Sequence, residues 1–185
     1  MRRVFVDTSV LFPFSVMDLF LALTENGLHE MLWSDELLEE WKHVIVREQR
    51  RSAESAASIT AAIREFFGDL RIAPDTYRDM IDTMPGADPD DHVHTAAAIA
   101  GGADTLVTRD TTGFPAGPLA DLGLTVLDPD TYLIDLFEEY PDDVTATVVE
   151  LARSKTRPPM MANDLLATLE RAGLATFPAL VSANL

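Results

Sequence analysis

Val4-Phe5-Val6 is a β-branched and aromatic run that stops at Asp7-Thr8-Ser9, the pattern of a buried strand entering a polar turn. Apolar residues then return at helical spacing, at Val16, Leu19, Phe20 and Leu23, until Asn26-Gly27 ends the segment. Met31-Leu32-Trp33 reads as a second strand. Ser34 suits a helix N-cap, with Asp35 and Glu36 in the first turn and an apolar face of Leu37, Leu38, Trp41, Val44 and Ile45. An alanine-rich helix is predicted over 53–67, a short strand over 70–72 and a helix over 75–84 that ends at Pro85-Gly86.

The run Ala87-Asp88-Pro89-Asp90-Asp91 opens a helix to about Ala100, stopped by Gly101-Gly102. Thr105-Leu106-Val107-Thr108 follows as a strand, with Arg109-Asp110 at its exit, and Thr125-Val126-Leu127 is a fifth strand candidate. Strands alternating with helices predict a parallel sheet in an α/β/α sandwich. Beyond Asp130 only helical periodicity remains, over 130–139, 142–155, 162–172 and 176–182, broken by Pro158-Pro159. The expected organisation is a sheet domain at 1–130 and an α-helical C-terminal extension at 131–185.

Composition narrows the chemistry. A chain of 185 residues, 47% hydrophobic, suits one domain with a small appendage. The absence of cysteine excludes a disulfide scaffold, a thiol nucleophile, a zinc finger and an iron–sulfur site. Fourteen basic against 31 acidic residues leave a net charge of −17, which repels nucleic acid unless metal ions or a local basic patch intervene. Asp7 and Asp18 interrupt the first apolar stretch, so no signal peptide or membrane span is expected, and the expected location is cytoplasmic. No glycine-rich phosphate loop, nucleophile elbow or alternating aromatic and basic stacking platform is visible.

The informative residues are carboxylates. Ligands of an open parallel sheet bind beyond the carboxyl ends of the strands, and Asp7 and Asp110 each stand at such an end. Asp91 lies in the first turn of the helix before the 105–108 strand. Glu40 borders the apolar face of the Ser34 helix, whereas Glu39 points away from it. Two unit charges about 4 Å apart repel by roughly 4 kcal/mol at an effective dielectric near 20. Converging carboxylates would therefore need protons or a cation, and hard oxygen ligands select magnesium or manganese over zinc. Taken singly, Asp88, Asp90 and Asp91 also suit ordinary capping and first-turn positions.

Three segments, in order, resemble the signature of PIN-domain ribonucleases, the family that includes the VapC toxins of toxin–antitoxin modules. They are Val4 to Leu11, the Ser34 to Val44 helix with Leu37-Leu38-Glu39-Glu40-Trp41, and Asp88-Pro89-Asp90-Asp91-His92 through Ala96-Ala97-Ala98 to Leu106-Val107-Thr108-Arg109-Asp110. The resemblance covers about residues 1–130. It implies metal-binding and catalytic acids at Asp7, Glu40, Asp91 and Asp110, with Thr8, Ser9 and Thr108 as supporting hydroxyls. Asp88 competes with Asp91, which is preferred because Ala96 follows it by five residues, as in the family pattern. The family implies Mg2+- or Mn2+-dependent cleavage of single-stranded or looped RNA by water attack, and a toxin neutralised by a cognate antitoxin. A homodimer is expected from the same source. The tail resembles the helical extension of certain longer VapC-type toxins, through Arg157-Pro158-Pro159-Met160 and the Leu165-Leu166 to Leu169 helix.

Arg47, Arg50 and Arg51 form one basic cluster, and Arg153, Lys155 and Arg157 another. With Arg109 they are the candidates for RNA phosphates, or else they pair with neighbouring acids. His92 and His94 are two apart on a helix and would not share one metal, so they read as surface or packing residues. The alternative function is a PIN-fold binding module without catalytic activity, which the net charge favours. A magnesium-dependent phosphatase is disfavoured, because Ser9 rather than a second acid follows Asp7 and only Lys42 and Lys155 could serve as its lysine.

Overall fold

Val4, Phe5 and Val6 are fully buried, so the first strand, β1 (Arg2–Val6), must lie inside a sheet covered on both faces. The computed structural model, which describes residues 1–185, shows this arrangement. β1 pairs in parallel with β2 (His29–Leu32) on one side and β3 (Thr105–Val107) on the other, and β3 pairs with β4 (Thr125–Leu127). The order β2-β1-β3-β4 reverses direction between β1 and β3. A crevice therefore opens beyond their carboxyl ends, where Val6 stands opposite Val107.

The helices follow the local signals. Asp7 caps α1 (Thr8–Leu11), one turn long, and α2 (Phe14–Glu25) leads to β2. Ser34 Oγ accepts from the Leu37 amide at 3.2 Å and starts α3 (Asp35–Arg47). Ser52 does the same for α4 (Ala53–Phe66) through the Ser55 amide at 3.1 Å. A 3-10 turn at Pro89–Asp91 runs into α5 (His92–Ala100), whose Ala96, Ala97 and Ala98 are fully buried. Small side chains there let the helix backbone lie close to its neighbours. α6 (Ala116–Asp121) precedes β4.

Two sequence expectations change. The 70–72 strand is reduced to a single Trp33–Arg71 bridge. It meets the chain only where β2 is already turning into the Ser34 cap, and Pro74 cannot donate to a longer ladder. The 75–84 helix is two 3-10 segments, Pro74–Thr76 and Arg78–Thr83. They break at Tyr77, which is buried and donates its hydroxyl to Glu36 at 2.5 Å, an anchor that takes precedence over helical continuity. The short helices α1 and α6 fall in stretches with no readable periodicity.

After Asp128, which caps the next helix through the Asp130 and Thr131 amides, come α7 (Pro129–Glu139), α8 (Pro141–Ser154), α9 (Ala162–Arg171) and α10 (Phe177–Ala183). Their apolar faces, including Leu133, Leu136, Val148, Leu169 and Phe177, belong to the same continuous core as Val4, Phe5 and Leu106. α2 is the shared wall, packed against α8 and α9. No helix is long and apolar enough to cross a membrane.

Candidate active site

Asp7 and Asp110 stand at the exits of neighbouring strands because β1 and β3 are paired in register. Asp7 is only 5% exposed. Its Oδ2 accepts from the Ser9 amide at 3.3 Å, from the Ser9 hydroxyl, and from Thr108 Oγ1 at 3.0 Å. Thr108 Oγ1 in turn accepts from the Asp110 amide at 2.9 Å, so one hydroxyl ties the two strand exits together. Asp110 Oδ1 accepts from the Thr112 and Gly113 amides at 2.8 and 3.0 Å, which leaves Oδ2 available.

Asp91 reaches the same crevice from the last residue of the 3-10 turn before α5. A β-carbon on Gly113 would run into Asp91 Oδ2 and come within 2.9 Å of Asp110 Oδ2. Gly113 is thus the space that lets the two carboxylates face one another. Burial, followed by the charges of Asp7, Asp88 and Asp110, pushes the Asp91 carboxyl up to about 6. Asp88 is committed to capping the turn, accepting from the Asp90 amide at 3.0 Å. Thr8 Oγ1 is buried with no hydrogen-bond partner.

Glu40 arrives differently. It is 44% exposed and hydrogen-bonded to His94 Nε2, while His94 is 2% exposed on α5. Burial raises the Glu40 carboxyl, but the hydrogen bond and charge of His94 outweigh it and hold it low. Burial lowers the His94 imidazole, but the hydrogen bond to Glu40, with the charges of Glu40, Asp7 and Asp91, outweighs that and holds it high. His94 is therefore part of the acidic crevice, not a mere packing residue. Sequence reasoning passed over it because the spacing argument asked only whether two histidines could share a metal. His92 sits apart, its Nε2 bonded to the Gly86 carbonyl at 3.1 Å. Glu39 faces outward and pairs with Lys42 and Arg64.

The donor set fits a hard divalent cation. Asp7 and Asp110 are close enough for their charges to raise the Asp91 carboxyl, and no arginine or lysine is paired with any of the three. No three Asp, Glu or His groups are gathered into a ready-made ligand cluster. A magnesium-type ion, which keeps several waters and takes one or two carboxylates directly, does not require one.

The basic candidates separate. Arg109 donates to the carbonyls of Ala172 at 3.0 Å and Gly173 at 3.3 Å, closing the end of α9, and has no carboxylate partner. Lys155 is ion-paired with Asp18 and Arg47 with Glu48. Arg153, in the last turn of α8, and Arg157, beyond it, are exposed with no carboxylate partner. Arg50 and Arg51 lie over the rings of Phe12 and Phe14, at 5.9 and 4.3 Å from the centroids.

Comparison with known proteins agrees with this arrangement. The family model for the PIN domain matches residues 3–112, and that for the VapC50 C-terminal domain matches residues 129–183. No curated protein and no solved structure matches the chain. With the sheet, the strand-exit carboxylates and the helical tail in one order along the chain, the protein belongs to the PIN-domain family and is a VapC-type toxin carrying a helical C-terminal extension.

Proposed function

We propose that this protein is a Mg2+- or Mn2+-dependent endoribonuclease toxin that cleaves single-stranded or looped RNA, with Asp7, Glu40, Asp91 and Asp110 as its functional acids. The observation that carries the reading is the crowding of Asp7 and Asp110 against Asp91 at the strand-order switch, with no arginine or lysine paired to them. A bound divalent ion supplies charge neutralisation and an activated water at phosphorus. The chain's own residues do the positioning. Thr108 and Ser9 fix the Asp7 carboxylate, the Thr112 and Gly113 amides orient Asp110, and His94 steers Glu40.

A cognate antitoxin fits the same electrostatics. A basic segment placing an Arg or Lys among these acids would compete with the cation, and a complex that left the acids open to solvent would contradict this. The setting proposed is cytoplasmic, with a homodimer as the assembly.

Two measurements test the reading. Thermal unfolding in EDTA, magnesium and manganese should show a midpoint that rises with the logarithm of metal concentration and a rise that is lost in Asp91→Asn. An RNA pool incubated with manganese should be cut by the wild type and left intact by Asp7→Asn. A chain that shows no metal shift and cuts no RNA, yet binds a protein partner tightly, would instead be an inactive binding module, the reading that the net charge of −17 favours.

A further inference from the structure

In a protein of net charge −17, one cleft contains no acid. It has a volume of about 440 Å³ and lies between the α1–α2 junction, the end of α3 and the outer face of α9. Arg50, Arg51 and Arg171 line it together with Phe12, Phe14 and Thr168. Half of the 14 basic side chains, among them Arg2, Arg64 and Lys155, are paired with carboxylates, but none of these three arginines is. The guanidinium groups of Arg50 and Arg51 lie over phenyl rings, and Arg171 donates to Thr168 Oγ1 at 3.0 Å. Such supports hold planar donors in place at low conformational cost and leave in-plane N–H groups free for an anion.

One turn of helix separates the cleft from the carboxylate crevice. α1 is a single turn of four residues, about 6 Å long, with Asp7 at its first end and Phe12 at its last. On the other wall, Ala172 belongs to the cleft and accepts from Arg109, whose amide donates to Ser9 Oγ, and Ser9 bonds Asp7.

We propose that this cleft, shared between the sheet domain and the C-terminal extension, binds the backbone of a single-stranded RNA on its way to the carboxylates. The inference rests on the ribonuclease reading above for the direction of the strand. RNA is favoured over an acidic peptide because the acids that would cut the same strand begin one helical turn away, and because the half-buried rings of Phe12 and Phe14 leave part of their surface for bases. The extension contributes Arg171 and so takes part in substrate binding. Arg50 and Arg51 stand out in the sequence as part of a basic cluster, but their pairing with Phe12 and Phe14 does not, since the stacked pairs are assembled from opposite ends of the α1–α3 segment.

The test measures anisotropy of a fluorescein-labelled oligouridine of about 12 nucleotides on the full-length Asp7→Asn chain, across a salt series. Arg51→Gln with Arg171→Gln should weaken binding at least tenfold near about 0.1 M salt and flatten the salt slope by about 1 to 1.5. Arg2→Gln with Arg3→Gln, an equal charge change at the far end of β1 from Asp7, should leave binding close to the parent's. Thermal midpoints verify folding, and Phe14→Leu, which removes the ring under Arg51, gives a second variant with the same readout. Equal losses in both arginine pairs, or none in the cleft pair, would overturn the cleft and leave the ribonuclease reading standing. Loss of affinity for a polyglutamate peptide with RNA binding unmoved would overturn it in favour of a protein partner. Cleft-dependent RNA binding in a wild-type chain that never cuts RNA would uphold the cleft and overturn the ribonuclease reading.

Discussion

At the start of β2, His29 is fully buried, and every polar atom of its ring has a partner. Its Nε2–H donates to the Phe20 carbonyl at 2.9 Å, so its Nδ1 is the acceptor for the Tyr132 hydroxyl at 2.8 Å. The rings of Phe20, His29 and Tyr132 are stacked or tilted against one another at 5.7–5.8 Å, which locks α7 onto α2 and the sheet. At the exits of β1 and β3 the polar groups are equally dense but like-charged, and Thr8 Oγ1 and His94 Nδ1 are buried without partners. Buried polar groups that satisfy one another specify a fold. Groups that crowd like charges and leave atoms unpaired are held there by the rest of the structure, which is the usual condition of a functional site.

The largest effect expected on this contrast is at the strand exits. Asp7→Asn or Asp110→Asn should reduce RNA cleavage at least about a thousandfold, equivalent to roughly 4 kcal/mol, while the thermal midpoint in EDTA stays level or rises as repulsion is relieved. A midpoint that collapsed would mean the acids are structural after all.

The two clusters also respond to acid with opposite signs. Burial holds the His29 imidazole at about 4 against an ordinary 6.5. The unfolded chain then binds the proton first, so His29's contribution to stability is present above 6.5 and is lost as pH falls through 4. The loss is worth roughly 3 kcal/mol. Asp91, raised to about 6, does the reverse in metal-free protein: the folded state takes up a proton first, and stability grows as pH falls through 6. Urea unfolding between pH 7 and 4 should thus flatten in His29→Phe and steepen in Asp91→Asn. Unchanged slopes would refute the assignment.

A smaller effect is expected from Gly113→Ala. The added methyl must displace Asp91 or Asp110, and a misplacement near 1 Å costs about a hundredfold in rate. Cleavage and the metal-dependent midpoint shift should fall together, with folding retained. Normal activity would show that the two carboxylates need not face one another.

Most of the strands and longer helices were legible because burial on both faces leaves continuous apolar runs and because Ser34, Ser52 and Asp128 are capping residues of the expected kind. Asp7 and Asp110 were legible for the same reason, as the polar residues that end such runs. The 70–72 and 75–84 segments were not, since a single bridge and the Tyr77–Glu36 hydrogen bond decide them from 30 or more residues away in sequence.

Taken alone, then, the sequence determined the alternation of strands and helices, the helical tail and the acids at the strand exits, all of which are written in periods of two to four residues. Tertiary structure decided which carboxylates meet, because that depends on β1 lying beside β3 and on the missing side chain at Gly113. It also decided that His94 holds Glu40, that Arg109 belongs to the end of α9, and that Arg50 and Arg51 share a cleft with Arg171. These are contacts between residues far apart along the chain. No local pattern encodes them, because the free energy that selects them comes from packing the extension and the sheet domain into one core.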